Sequence, residues 1–406
     1  MRDALIILGM HRSGTSATSG LFNMNGYDLG MSIMNANWSN PKGFYENFKI
    51  NSFSNDLFQI LHVNWHNTLG LNGQWWKDPK PDEIKKNLKE LIESDYTKEG
   101  NLLFKDPRMC ILLPLYNEVL VEMGFNVSFI ITLRNPRAVA RSLNRRDGFS
   151  YKKSIRIYMD YMIKAEQYTR GKKRCFVDYD SIITNPLQTI LRLTNSLGIK
   201  IKITPEKEAQ IIDFIELGLN HFEPDKLLTL DTENDEIQLF NIFKNAEFND
   251  LNDNEGLQAD NISRKFYKEY QKEQYSKISI ITVVRQGSTD LKTTFRSIST
   301  SDYPDLEYIV IESDADPTTK EMCNHQTYLA NVIFESGLSK KEAKELGMRM
   351  VSGKWVGFLD SGRSFISNHS LSDFISQLKQ NDEQNICSIK FPTESGELRL
   401  FKTNKH

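Results

Sequence analysis

Leu5-Ile6-Ile7-Leu8-Gly9-Met10-His11-Arg12-Ser13-Gly14-Thr15-Ser16 decides how the N-terminal half of this chain is read. An apolar run with β-branched residues ends at a glycine. A short turn carrying Arg, Ser, Gly and Thr follows, and Ala17, Leu21, Phe22 and Met24 then recur at helical spacing. Strand, tight loop and helix start in that order place backbone N–H groups and a helix N-terminus around an anion. Gly9 and Gly14 have the separation of the P-loop pattern G-x-x-x-x-G-K-[ST], but Thr15 stands where that pattern has its lysine. The nearest cation, Arg12, precedes the second glycine. The loop therefore reads as an anion cradle without the lysine that a nucleoside-triphosphate site places on the β- and γ-phosphates.

Outward from this loop, β- and α-type segments alternate. Leu102–Lys105, Val127–Leu133 and Arg174–Val177 read as strands. Helices are expected over Ile111–Met123, just after Pro136, over about 152–170, and over Pro186–Leu197 and Glu206–Leu219. Alternation of this kind predicts a parallel sheet covered by helices on both faces. A second series starts at Ile278–Val284 and continues through Tyr308–Ile311 and Trp355–Leu359. Between the two, residues 223–276 are rich in Asp, Asn and Glu, with one helical-looking patch near Ile237–Phe248, and read as an acidic, partly ordered linker. The expected division is 1–222, 223–276 and 277–406.

The chain has 406 residues, 39% of them hydrophobic, and a formal net charge of −2, so a general affinity for nucleic acid is not expected. No apolar run approaches the ~20 residues of a membrane helix, and the N-terminus reads as a strand rather than a signal peptide. The four cysteines lie far apart without a C-x-x-C pair, which suits reduced thiols in a cytoplasmic protein. Charge is uneven: Arg134 to Arg174 holds thirteen Lys/Arg against three Asp/Glu, and Glu223 to Asp260 eleven Asp/Glu against two Lys. A basic segment beside a phosphate-type loop points to a polyanionic ligand or an acidic acceptor.

A second constellation is Arg134-Asn135-Pro136 followed by Ser142. An arginine at a strand end and a serine two helical turns on can reach one phosphate, the first with its fork and the second with its hydroxyl. The pair of motifs resembles the sulfotransferases that use 3′-phosphoadenosine-5′-phosphosulfate (PAPS). In that family an R/K-S-G-T-T core binds the 5′-phosphosulfate and an R-x-P-x-x-x-x-x-S motif binds the 3′-phosphate. Asn40-Pro41-Lys42-Gly43-Phe44-Tyr45-Glu46-Asn47, Lys105-Asp106-Pro107-Arg108 and Val177-Asp178-Tyr179-Asp180 look like the bacterial branch. The resemblance covers roughly residues 1–222 and implies a P-loop-like three-layer α/β/α fold. It implies PAPS as donor, held by Arg12, Ser13, Gly14, Thr15, Ser16, Arg134 and Ser142, with Arg12 stabilising the leaving bisphosphate and no metal required. The expected base is Glu46, with His62 and His66, four apart and read as sharing a helix face, as the alternative. Lys105 and Arg108 are expected to line the cleft, and Trp65, Trp75 and Trp76 either stack on sugar rings or pack in the core.

The C-terminal region resembles the GT-A fold of inverting glycosyltransferases through Ile278–Thr282, Leu306–Asp316 and Ser352-Gly353-Lys354-Trp355-Val356-Gly357-Phe358-Leu359-Asp360. That family carries an acidic residue after its second strand and a D-x-D-type metal motif after the Trp-containing one. Here Glu312 stands at the first position, and Ser361, Gly362 and Arg363 follow Asp360, so the second metal carboxylate is missing. Residues 277–406 are expected to be a smaller, incomplete GT-A-like domain. The leading expectation is sulfuryl transfer to the hydroxyl of a carbohydrate or polysaccharide. The alternatives are a nucleotide-sugar-dependent glycosyltransferase with a regulatory N-terminal domain, and a non-catalytic scaffold. A homo-oligomer or biosynthetic partner enzymes are compatible with each.

Overall fold

The computed structural model describes residues 2–34, 43–71, 73–77, 81–219, 234–272, 276–288, 290–327, 330–373, 375, 388–393 and 396–403. Asn40, Pro41 and Lys42 of the quoted motif, and residues 223–233 of the acidic segment, lie outside the described residues. The chain divides into two compact units. The first holds Met1–Ser54, Gln74–Ser142 and Ile155–Lys268, and the second Asn55–Gly73, Leu143–Ser154 and Glu269–His406.

In chain order the first half runs β1 (Asp3–Leu8), α1 (Thr15–Met24), α2 (Phe48–Ile60), α3 (Pro81–Asp95), β2 (Leu102–Lys105), α4 (Met109–Glu122), β3 (Asn126–Leu133), α5 (Pro136–Asp147), α6 (Tyr151–Thr169) and β4 (Arg174–Asp178). It continues with α7 (Tyr179–Thr184), α8 (Pro186–Ser196), α9 (Pro205–Leu219), α10 (Asp235–Asn245) and α11 (Asp253–Lys272). The stretch read as a linker thus contains two helices. The sheet of the first unit is parallel throughout, in the order β2-β1-β3-β4. Every residue of β2 and β4 is buried, as is β1 from Ala4 on, which is why these strands read as continuous apolar runs. The order reverses between β1 and β3. In open α/β sheets the crevice beyond the carboxyl ends at such a reversal is where ligands sit, and here the Gly9–Ser16 loop and Arg134 occupy it.

The second half runs β5 (Ile278–Val284), α12 (Leu291–Thr300), β6 (Leu306–Glu312), α13 (Pro317–Asn324), β7 (Asn331–Phe334), α14 (Lys340–Met350), β8 (Trp355–Phe358), β9 (Ser388–Thr393) and β10 (Gly396–Lys402). Its sheet has the order β7-β6-β5-β8-β10-β9; β5 to β8 are mutually parallel and β10 is antiparallel to both neighbours. The two-residue period of a strand sends alternate side chains to opposite faces. Ile278, Ile280, Val284, Tyr308, Val310 and Trp355 join one core, while Ile281, Ile309, Ile311 and Val356 pack on the other face with Ala343 of α14. Both faces are therefore covered, and each fully buried side chain of this size stabilises the fold by about 1.5–3 kcal/mol. The expected α/β class with parallel sheets is what the structure shows. Here the order reverses between β5 and β8.

Candidate functional site

Two places qualify, one at each reversal. In the first unit the loop after β1 is shaped by its glycines. Gly9 has φ +142°, and a Cβ there would meet Thr132 Oγ1 at 2.1 Å; Gly14 has φ +94°, and a Cβ would meet Tyr179 at 2.5 Å. Both positions need glycine for conformation and for space. Arg12 also has a positive φ, 72°. Helix α1 begins at Thr15 with Gly14 as its N-cap.

The structure gathers Arg12, Arg134 and Ser142, as their spacing suggests. Arg12 Nε donates to Ser142 Oγ at 2.8 Å, Arg134 Nη1 donates to the Arg12 carbonyl at 3.1 Å, and the Arg134 guanidinium lies 4.4 Å from the Tyr179 ring centre. Ser13 turns inward: its hydroxyl donates to the Met10 carbonyl at 2.6 Å and lies 3.1 Å from Thr132 Oγ1. Thr15 is buried. Ser16 accepts from Lys105 Nζ at 3.1 Å. Beneath the loop the Gly9 N–H meets Cys110 Sγ at 3.1 Å, and burial pushes that thiol up to about 12.

Glu46 and Lys105, expected as base and cleft lining, form a buried ion pair. Lys105 also donates to the Phe44 carbonyl at 3.1 Å, and Glu46 accepts from Asn51 Nδ2 at 2.9 Å. Arg108 turns onto Asp106, with Nε 2.9 Å from Oδ1, and donates to the Asn51 carbonyl at 3.0 Å. His62 and His66 lie beyond the end of α2, in the second unit, and share no helix face. His62, at φ 53°, faces Glu307 at 3.1 Å, and His66 packs edge-on against Phe149. Trp65 and Trp75 are buried and Trp76 is partly buried; Trp65 stacks on Phe149.

In the second unit the rim beyond β5, β6 and β8 carries Arg285, Glu312 and Asp360. Glu312 is buried, accepts from the Ala315 N–H at 2.8 Å and faces Lys320 at 3.8 Å. Asp360 faces Lys340, the first residue of α14, at 3.4 Å. A turn closed by Arg363 N–H to the Asp360 carbonyl at 3.2 Å follows, with Gly362 at φ +81°, and Thr294 Oγ1 donates to the Arg363 carbonyl at 3.0 Å. Arg285 had no motif to mark it in the sequence; its signal is its position directly after the first strand of an α/β series. These residues do not fit a divalent cation. Asp360 faces a lysine rather than a second carboxylate, and among the described residues no group of three or more His, Cys, Asp or Glu could hold a metal ion.

Residues 279–404 match the family model described as Glycosyl transferase family 2. The match spans most of the second sheet and supports its glycosyltransferase-like character. No curated protein matches the chain. Among solved structures, TarS of S. aureus has 15% identity and a TM-score of 0.23 over 26% of this chain and 20% of that one. A mannosyltransferase from Pyrobaculum calidifontis, in complex with GDP-Man and Mn2+, has 15% identity and a TM-score of 0.26 over 36% and 54%. Glucosyl-3-phosphoglycerate synthase of Mycobacterium tuberculosis, in complex with Mn2+, UDP and phosphoglyceric acid, has 19% identity and a TM-score of 0.25 over 30% and 44%. This chain thus spans between a fifth and about half of the length of these proteins.

The family match overturns the expectation of a PAPS-dependent sulfotransferase with PAPS as its donor. The geometry supplies a physical reason. Arg12 holds Ser142, Arg134 holds the Arg12 carbonyl and stacks on Tyr179, and Lys105 is neutralised by Glu46. Glu46, expected to take the acceptor proton, is thus held in an ion pair. No helix among the described residues is long and apolar enough to cross a membrane.

Proposed function

We propose that the chain is a nucleotide-sugar-dependent glycosyltransferase whose donor binds the second unit. The observation that carries this reading is the family match over residues 279–404. Three features support it. A parallel β7-β6-β5-β8 series reverses direction at β5, which opens a crevice at its carboxyl ends. Glu312 stands at the end of β6, where the resemblance puts the nucleoside. The turn from Asp360 to Arg363 stands at the end of β8, where it puts the diphosphate. The donor is a UDP- or GDP-sugar, the acceptor a hydroxyl of a carbohydrate or other small polar molecule.

The first unit, in this reading, is regulatory and takes a phosphate-bearing ligand at Arg12, Ser13, Gly14, Thr15 and Ser16, with Arg134 and Ser142. The start of α1 after Gly14 supports this, because a helix N-terminus favours an anion. Thermal unfolding of the full chain with UDP, GDP or inorganic phosphate tests both parts. UDP or GDP should raise the melting temperature of the wild type and of Arg134→Ala alike, whereas phosphate should act on the wild type alone. No shift with either nucleotide would overturn the donor assignment; an equal phosphate response in Arg134→Ala would overturn the regulatory site.

A further inference from the structure

The mismatch between the rim of the second unit and a metal site has a chemical consequence. A nucleoside diphosphate brings two or more negative charges, and something must balance them in the crevice. The carboxylates at this rim are already engaged. Glu312 accepts from Ala315 and faces Lys320, and Asp360 faces Lys340. Two arginines are not. Among the described residues, neither the Arg285 nor the Arg363 guanidinium has a hydrogen bond or ion pair, and both side chains are partly exposed.

Their places in the fold are set by backbone contacts. Arg285 directly follows β5; its N–H donates to Ser288 Oγ at 2.9 Å, which fixes the turn that leaves the strand. On the neighbouring strand, Ile281 is opposite Phe358, and the Leu359 N–H continues the ladder to the Ile281 carbonyl at 3.0 Å. Asp360 is therefore level with the end of β5, and the turn that follows delivers Arg363. One arginine thus stands on each side of the reversal between β5 and β8. The family resemblance would place the second acidic group of a metal motif in this turn, and an arginine stands there instead.

We propose that the diphosphate of the sugar nucleotide is held by Arg285 and Arg363, in place of a divalent cation. Each guanidinium offers a planar fork to phosphate oxygens. This proposal rests on the donor reading above and adds which groups carry the charge.

Isothermal titration of the full chain with UDP and with GDP, in excess EDTA and again in Mn²⁺, tests it. The wild type should bind one of the two with affinities that agree within about twofold between buffers. Arg363→Gln and Arg285→Gln should each weaken binding about tenfold or more in EDTA, the size of a lost charge-assisted contact. Arg363→Lys, which keeps the charge but not the fork, should fall between and remain insensitive to EDTA. Binding that requires Mn²⁺ overturns the proposal and leaves the donor reading standing. Metal-independent binding that ignores all three substitutions overturns the arginine assignment. Failure of both nucleotides in both buffers overturns the donor reading, and this proposal with it.

Discussion

Asp305 is the residue where this fold stores its clearest pH dependence. It stands just before β6, with its carboxylate against Gly70, where a Cβ would meet Oδ1 at 3.1 Å. Burial raises its pKa to about 6; Lys277 opposes the shift and Glu307 adds to it. The folded state therefore keeps the proton after the unfolded chain has lost it. This costs nothing below about pH 4, grows as pH rises toward 6, and is complete above that. Asp305→Asn should stabilise the chain by about 1–2 kcal/mol at pH 7–8 and by nothing near pH 4, allowing for partial exposure. Denaturant midpoints across that range check it; equal midpoints for both chains at pH 7.5 would contradict it. No sequence pattern flagged Asp305, because its environment is built from a glycine more than two hundred residues away. The same limit applies to Glu46 and Lys105. Each was legible as a functional type of residue, but that they neutralise one another was not. Arg12, Arg134 and Ser142 were legible as a group because strand ends and helix starts fix their places.

At the scale of elements, α12 shows how a buried charge is used to end a helix. Lys153 is buried, and its Nζ donates to the Ser299 and Ser301 carbonyls at the last turn of α12; the Phe149 ring centre lies 4.2 Å away. A cation at a helix C-terminus meets both the unsatisfied carbonyls and the negative end of the dipole. Lys153→Met should leave those carbonyls without this donor and lower stability by about 1–3 kcal/mol. Urea unfolding measures the loss, and an unchanged midpoint would show that water replaces the ammonium. The strands were legible because buried parallel strands are continuous apolar runs. The patch near Ile237–Phe248 reads as helical and holds α10, whereas α11 was not legible, because polar and charged residues fill most of its positions. Ala259 and Ile262 of α11 are buried all the same. Local composition hid an amphipathic pattern that packing made decisive.

At the scale of the whole molecule, the chain crosses between its two units several times. Asn55–Gly73 and Leu143–Ser154 belong to the second unit although they lie within the first half of the sequence. No shift in composition marks these excursions. Within the second unit, His62 faces Glu307 and Asn67 Nδ2 donates to the Leu306 carbonyl at 2.6 Å. His62, which invites a catalytic reading, thus contacts β6 from a segment distant in sequence. The motifs of the first unit drew the functional reading to sulfuryl transfer, while the matched family lies in the second. A short loop pattern reports how a chain can cradle an anion, not which anion or to what end. The central claim is donor chemistry in the second unit, and donor turnover tests it most directly. The full chain is incubated with a panel of UDP- and GDP-sugars, with and without Mn²⁺, and released nucleoside diphosphate is measured. At least one donor should be turned over above the protein-free blank, and Arg363→Gln should lower that rate about tenfold or more. No release from any donor in either condition would contradict the account.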